Sequence, residues 1–157
     1  MNRWRVTAAA VLVASLLLMG GCSSPAEPAK EAEQPVEMLE LVGTTWNCYE
    51  FKVSGSPVPV LASAPITAEF AEDGTLSGSA GVNTYSTTYK IDGKSMTIDG
   101  EIATTMMAGP EDAMNQESNY LTTLPTVESF DLMNDELVLF GPADSMIARY
   151  RPALPAQ

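Results

Sequence analysis

From Thr75 to Gly109 the chain reads TLSGSAGVNTYSTTYKIDGKSMTIDGEIATTMMAG, and over most of that length the residues alternate between two faces. Leu76, Gly78, Ala80 and Val82 fall on one face, with Thr75, Ser77 and Ser79 on the other. Beyond Asn83 the alternation resumes: Tyr85, Thr87, Tyr89 and Ile91 stand against Thr84, Ser86, Thr88 and Lys90. Asp92-Gly93 interrupts it, and Met96 and Ile98 restart it. A period of two, broken by Asp-Gly, predicts half-buried strands joined as antiparallel hairpins.

The flanking segments extend the same pattern. Thr45 to Val53 reads as a first strand, with Trp46 and Cys48 on one face and Tyr49, Phe51 and Val53 on the other. Ser54 to Pro65 holds three prolines, which a central ladder does not accept, so it is a loop or an edge. Ile66 to Ala71 is a strand with Ile66, Ala68 and Phe70 together, and Glu72-Asp73-Gly74 turns the chain. Glu101 to Met107 is a further short strand or an irregular connection. Towards the end, Phe130 and Leu132, then Leu137 and Leu139, then Met146, Ala148 and Tyr150 mark three more strands separated by Asn134-Asp135 and Gly141-Pro142.

One helix fits between. Gly109 can cap it, Pro110 suits its first position, and Glu111 and Asp112 favour the positive end of the dipole. Ala113, Met114, Tyr120, Leu121 and Leu124 recur at helical spacing until Pro125. Meander connectivity with inward glycines therefore predicts a mainly β fold. We expect a small antiparallel, partly open β-barrel of about eight strands, with one α-helix packed on it over an end or seam.

Four residues are candidates for binding: Asn83, Tyr85, Thr105 and Glu117. Asn83 tolerates positive φ, or its amide instead bonds neighbouring backbone inside the fold, so it shapes a turn or touches a ligand. The hydroxyls of Thr104 and Thr105 are placed to satisfy that turn. Glu117 lies within the apolar helix stripe, where an acid either bonds backbone near the turn or meets an interior polar ligand. Tyr85, with Trp46 and Tyr89, would line a small apolar ligand if the barrel is hollow. Met106, Met107 and Met114 read as core filler. Cys48 reads as a small buried hydrophobe rather than a reactive thiol, since no basic residue neighbours it in sequence.

Composition narrows the chemistry. The chain of 157 residues holds one domain plus tails, and its net charge of −12 repels nucleic-acid phosphates. It has no histidine, which removes Ser-His-Asp and Cys-His catalysis and most zinc sites. No phosphate-cradling loop, nucleophile elbow or calcium-loop spacing is present, so we expect no metal, no cofactor and no catalysis. The two cysteines, Cys22 and Cys48, are expected not to pair, because Cys22 has another use.

Arg3 and Arg5 precede an apolar run from Val6 to Met19, and Gly20-Gly21-Cys22-Ser23-Ser24 follows. A basic start, a short apolar centre and small residues make a secretory signal over residues 1–21, too short to be read as a membrane span. Small residues directly before a cysteine resemble a bacterial lipobox, so Cys22 is expected to carry the acyl chains that hold the protein at a membrane. Residues 22–40, rich in Pro, Ala and Glu, read as a disordered tether to a domain over 41–152. Residues 153–157 read as a frayed tail.

SGSAGVNTYSTTY followed by ATTMMAG is similar to the signature of the META/HslJ domain family: a small-residue strand, a G-C-N-x-Y turn, and A-T-T-R-M-A-C about twenty residues later. LVGTTW at the start, YLTTL and the closing strands extend the resemblance from about Leu41 to Arg151. The family often has Cys where Val82 and Gly109 stand, and Arg where Met106 stands. Loss of both cysteines together is what a bonded pair implies. The resemblance implies a β-rich architecture and a link to envelope stress, including heat and antibiotic tolerance. The combined expectation is a non-catalytic envelope lipoprotein on the extracytoplasmic side. It would bind another envelope protein, or alternatively carry a small apolar molecule or lipid.

Overall fold

The computed structural model describes residues 41–153. The expected leader, Cys22, the tether and residues 154–157 lie outside these. Ala153, which opens the expected tail, donates its N–H to the Thr45 carbonyl at 2.7 Å.

The elements run β1 (Thr45–Val53), β2 (Ser56–Pro59), β3 (Ile66–Phe70), β4 (Thr75–Ser79), β5 (Thr84–Asp92), β6 (Ser95–Ile98), β7 (Ala103–Thr104), α1 (Glu111–Thr123), β8 (Ser129–Met133), β9 (Glu136–Gly141) and β10 (Ser145–Pro152). All pairs between these strands are antiparallel. The order β10-β9-β8-β6-β5-β4-β3-β1 is closed by a β1–β10 pairing, so eight strands form a complete ring. The expected small antiparallel barrel with one helix is what forms, and its ring is closed rather than partly open. Its thinnest joint is β6–β8, where Ser95 faces Ser129 and bonds from Met96 N–H to Glu128 O and from Phe130 N–H to Lys94 O flank it. Two short strands hang off the ring: β7 on β5, and the proline-bearing β2 as an exposed edge on β1.

Alternation positions most of the core. Leu76, Tyr85, Thr87, Tyr89, Met96 and Ile98 all point inward. The first strand departs from simple alternation. Its pairing with β10 shifts between Cys48 and Glu50, a bulge with Tyr49 as the extra residue. Phe51 therefore joins Trp46 and Cys48 inside, rather than sharing the outer face with Tyr49. A second shift between Met146 and Ala148 puts both Ile147 and Ala148 in the core.

The turns use the residues their backbone requires. Gly74 and Gly93 have positive φ, as do both Asn134 and Asp135 between β8 and β9. The helix begins one residue later than its sequence implies: Pro110 is the N-cap, with extended backbone, and Glu111 is the first helical residue. Its buried face is Ala113, Gln116, Glu117 and Tyr120, with Leu124 following in a 3-10 turn. Met114 and Leu121 sit at the edges of that face.

Candidate functional site

Helix α1 meets the barrel where the β2–β3 loop and the β4–β5 turn converge, and polar side chains make that contact. Gln116 Oε1 accepts from Leu61 N–H at 2.7 Å, and its Nε2 donates to the Ala64 carbonyl at 2.8 Å. Glu117 accepts from the backbone N–H groups of Val82 at 3.2 Å and Asn83 at 2.7 Å, and from Asn83 Nδ2 at 2.8 Å. Two backbone donors and a carboxamide thus replace the water that a buried carboxylate loses.

Asn83 is the hub. Its Nδ2 also donates to the Met107 carbonyl at 3.1 Å, and its Oδ1 accepts from Met107 N–H at 2.7 Å and from Thr105 Oγ1 at 2.8 Å. All four hydrogen-bonding positions of the carboxamide are filled. The positive φ in this turn is at Gly81, at 121°, and the other of the two readings of Asn83 holds: its amide bonds nearby backbone. Asn83 shapes the turn through its side chain, by clamping the 105–107 segment and α1 to it. Thr105 also accepts from Thr84 N–H at 3.2 Å, so of the two expected threonines this one serves the turn.

Of the four binding candidates, Asn83, Thr105 and Glu117 come together and Tyr85 lies apart, inside the barrel. Tyr85 Oη donates to the Thr67 carbonyl at 3.0 Å and lies 3.0 Å from Tyr120 Oη, which lies 3.0 Å from Tyr150 Oη. Since each hydroxyl has one proton, Tyr120 donates to Tyr85 and Tyr150 to Tyr120. Burial pushes all three phenols above their ordinary range. Tyr120 packs edge-on against Phe51 at 5.9 Å and Tyr85 at 5.8 Å, and Phe70 packs edge-on against Tyr89 at 5.1 Å. Trp46 Nε1 donates to the Leu41 carbonyl at 3.1 Å. The aromatics read as lining for a ligand fill the interior with one another.

Cys48 is buried, its thiol donates to the Glu50 carbonyl at 3.4 Å, and burial pushes its pKa up to about 12. It is an inert core residue at neutral pH.

Above the Asn83 cluster lies a shallow groove of about 400 Å³, lined by Asn83, Thr104, Thr105, Met106, Met107 and Ala108, with Met114 and Glu117 from α1. Met106 is 98% exposed and Met107 55%, so these two are not the core filler they resemble in sequence. The 105–109 segment carrying them is seated by Gly109: a Cβ there would fall 2.6 Å from Val82 Cγ2 and 3.4 Å from Val82 Cβ. Positions 82 and 109 are therefore neighbours, at a separation close to that of bonded cysteine Cβ atoms.

Sequence reasoning missed Gln116. Its spacing from Ala113, Glu117 and Tyr120 was the available signal, since a polar residue on a helix's buried stripe needs a built partner.

The model of the META domain family matches residues 39–153. A solution structure of a protein from Burkholderia xenovorans is similar at a TM-score of 0.62 and 20% identity, covering 83% of this chain and 99% of its own. A second solution structure has a TM-score of 0.52 at 22% identity, covering 72% and 92%. The crystal structure of a DUF4847 family protein from Bacteroides vulgatus has a TM-score of 0.52 at 15% identity, covering 74% and 96%. These likenesses are of fold. No curated protein matches the chain in sequence.

Proposed function

The chain belongs to the META domain family, and from that premise we propose that it is a non-catalytic binding module of the cell envelope, acting in envelope stress. Acyl chains on Cys22 would hold it on the extracytoplasmic side of a membrane, with another envelope protein as its partner. The observation that carries this reading is the packed interior. Tyr120, Tyr150, Phe51, Phe70, Leu41, Ile66, Leu76, Met96, Leu137 and Leu139 are each less than 2% exposed and occupy the space a carrier would keep open. A barrel filled with its own side chains has its outer surface left for recognition. The same observation favours a protein partner over the alternative of a carried lipid or other small apolar molecule.

The test is crosslinking with mass spectrometry in host membranes, comparing the wild-type chain with Cys22→Ser. The reading expects incorporation of a labelled fatty acid that Cys22→Ser abolishes. It also expects a recurrent envelope-protein crosslink on the domain that weakens when the anchor is lost. A wild-type chain that takes up no fatty acid and crosslinks to no envelope protein would overturn it.

A further inference from the structure

We infer that Met106, Met107 and Met114 form a thioether site for a soft monovalent cation, Cu(I), with Ag(I) as its redox-inert probe. The three residues border one groove, two from the segment after β7 and one from the first turn of α1. Packing does not account for Met106, because a side chain 98% exposed gains almost nothing from burial.

The backbone beneath the sulphurs is held firmly. The Asn83 carboxamide grips both the N–H and the carbonyl of Met107. Gly109 is packed onto Val82, and Met114 N–H bonds to Pro110 O at 2.9 Å at the start of the helix. Glu117 fastens that same helix to the β4–β5 turn. One buried cluster thus fixes the positions from which all three thioethers project, which lowers the ordering cost of bringing them to one ion.

The donor set selects the ion. Thioethers are soft and neutral, and match Cu(I) rather than Mg(II), Ca(II) or Mn(II). Three hard side chains nearby are committed to one another: the Asn83 carboxamide, the Thr105 hydroxyl and the Glu117 carboxylate share a hydrogen-bond network. A net charge of −12 raises the local concentration of any cation. A thioether has no proton to lose, so binding should be flat across mildly acidic and neutral pH, unlike a thiolate or imidazole site. The site stands on the groove alone and does not depend on the partner reading.

The experiment is Ag(I) titration of the full chain in detergent, with methyl-labelled methionines followed by NMR. Met133, 46% exposed at the end of β8, is the internal control for an accessible thioether outside the groove. The methyls of Met106, Met107 and Met114 should shift together and saturate while Met133 stays in place. Met106→Leu and Met107→Leu should each weaken binding by about tenfold or more, with the thermal melt unchanged. The proposal is overturned if Met133 responds at the same Ag(I) concentration, if the trio stays silent while Cys48 takes the ion, or if the triple leucine variant binds as before.

Discussion

Glu117 holds one end of the barrel together through backbone donors, and that makes a definite demand on its chemistry. Glu117→Gln keeps the shape but offers one acceptor oxygen where two are used, and turns an amide N–H towards groups that are themselves donors. We expect a loss of about 2–3 kcal/mol in denaturant unfolding, the cost of a charge-assisted bond and a stranded buried donor. A loss below about 0.5 kcal/mol, the range of ordinary surface changes, would show that the cluster is not what seats the helix. Asn83 and Thr105 were legible beforehand because a turn between two strands needs polar partners. Their distinct tasks were not, since the Gly81 φ of 121° and the Met107 backbone contacts exist only once residues 83 and 107 meet in space.

Between elements, close approach decides what can be changed. A Cβ at Gly78 would lie 2.1 Å from the Thr67 carbonyl oxygen, the atom that accepts from Tyr85 Oη. Gly78→Ala should therefore force β3 and β4 apart and disturb the tyrosine chain, costing about 3 kcal/mol. Chemical denaturation with tyrosine fluorescence would measure it, and an unchanged midpoint would refute it. The opposite result is expected where β4–β5 meets the segment before α1. The double change Val82→Cys with Gly109→Cys should form a disulfide on air oxidation and stabilise the domain by roughly 3–4 kcal/mol, from the loop-closure entropy removed from the unfolded chain. Mass and melting temperature before and after reduction check this. Thiols still free at positions 82 and 109 after oxidation, with Cys48 counted apart, would count against the close seating of the 109 segment on Val82. Strands with strict alternation were readable from residues alone. The β1 bulge was not, because Tyr49, Glu50 and Phe51 give no local sign of which residue is extra; pairing with β10 decides it and brings Phe51 inside. The β1–β10 closure is likewise a meeting of chain ends that no short-range pattern encodes.

At the scale of the whole molecule, the filled barrel has a signature in alkali. Burial raises the folded-state pKa of the Cys48 thiol from 9.0 to about 12 and lifts those of Tyr85, Tyr120 and Tyr150 above the ordinary value of 10.0. The unfolded chain releases these protons first, so above pH 9 it binds fewer protons than the folded chain, and stability falls as pH rises. The contribution of Cys48 is fully present below pH 9 and is lost by about pH 12, at about 1.4 kcal/mol per pH unit where the two states differ by a full proton. Ionisation of Tyr85, Tyr120 and Tyr150, labelling of the Cys48 thiol and loss of near-ultraviolet dichroism should come in one cooperative step. Gradual ionisation of those three tyrosines with the fold intact would mean water reaches the interior. The account rests on an interior occupied by side chains, and native mass spectrometry of the protein purified from its host tests this most directly. The expected species carries acyl mass localised to Cys22 by peptide mapping and no other apolar adduct. A stoichiometric apolar molecule that leaves only on unfolding would contradict the account.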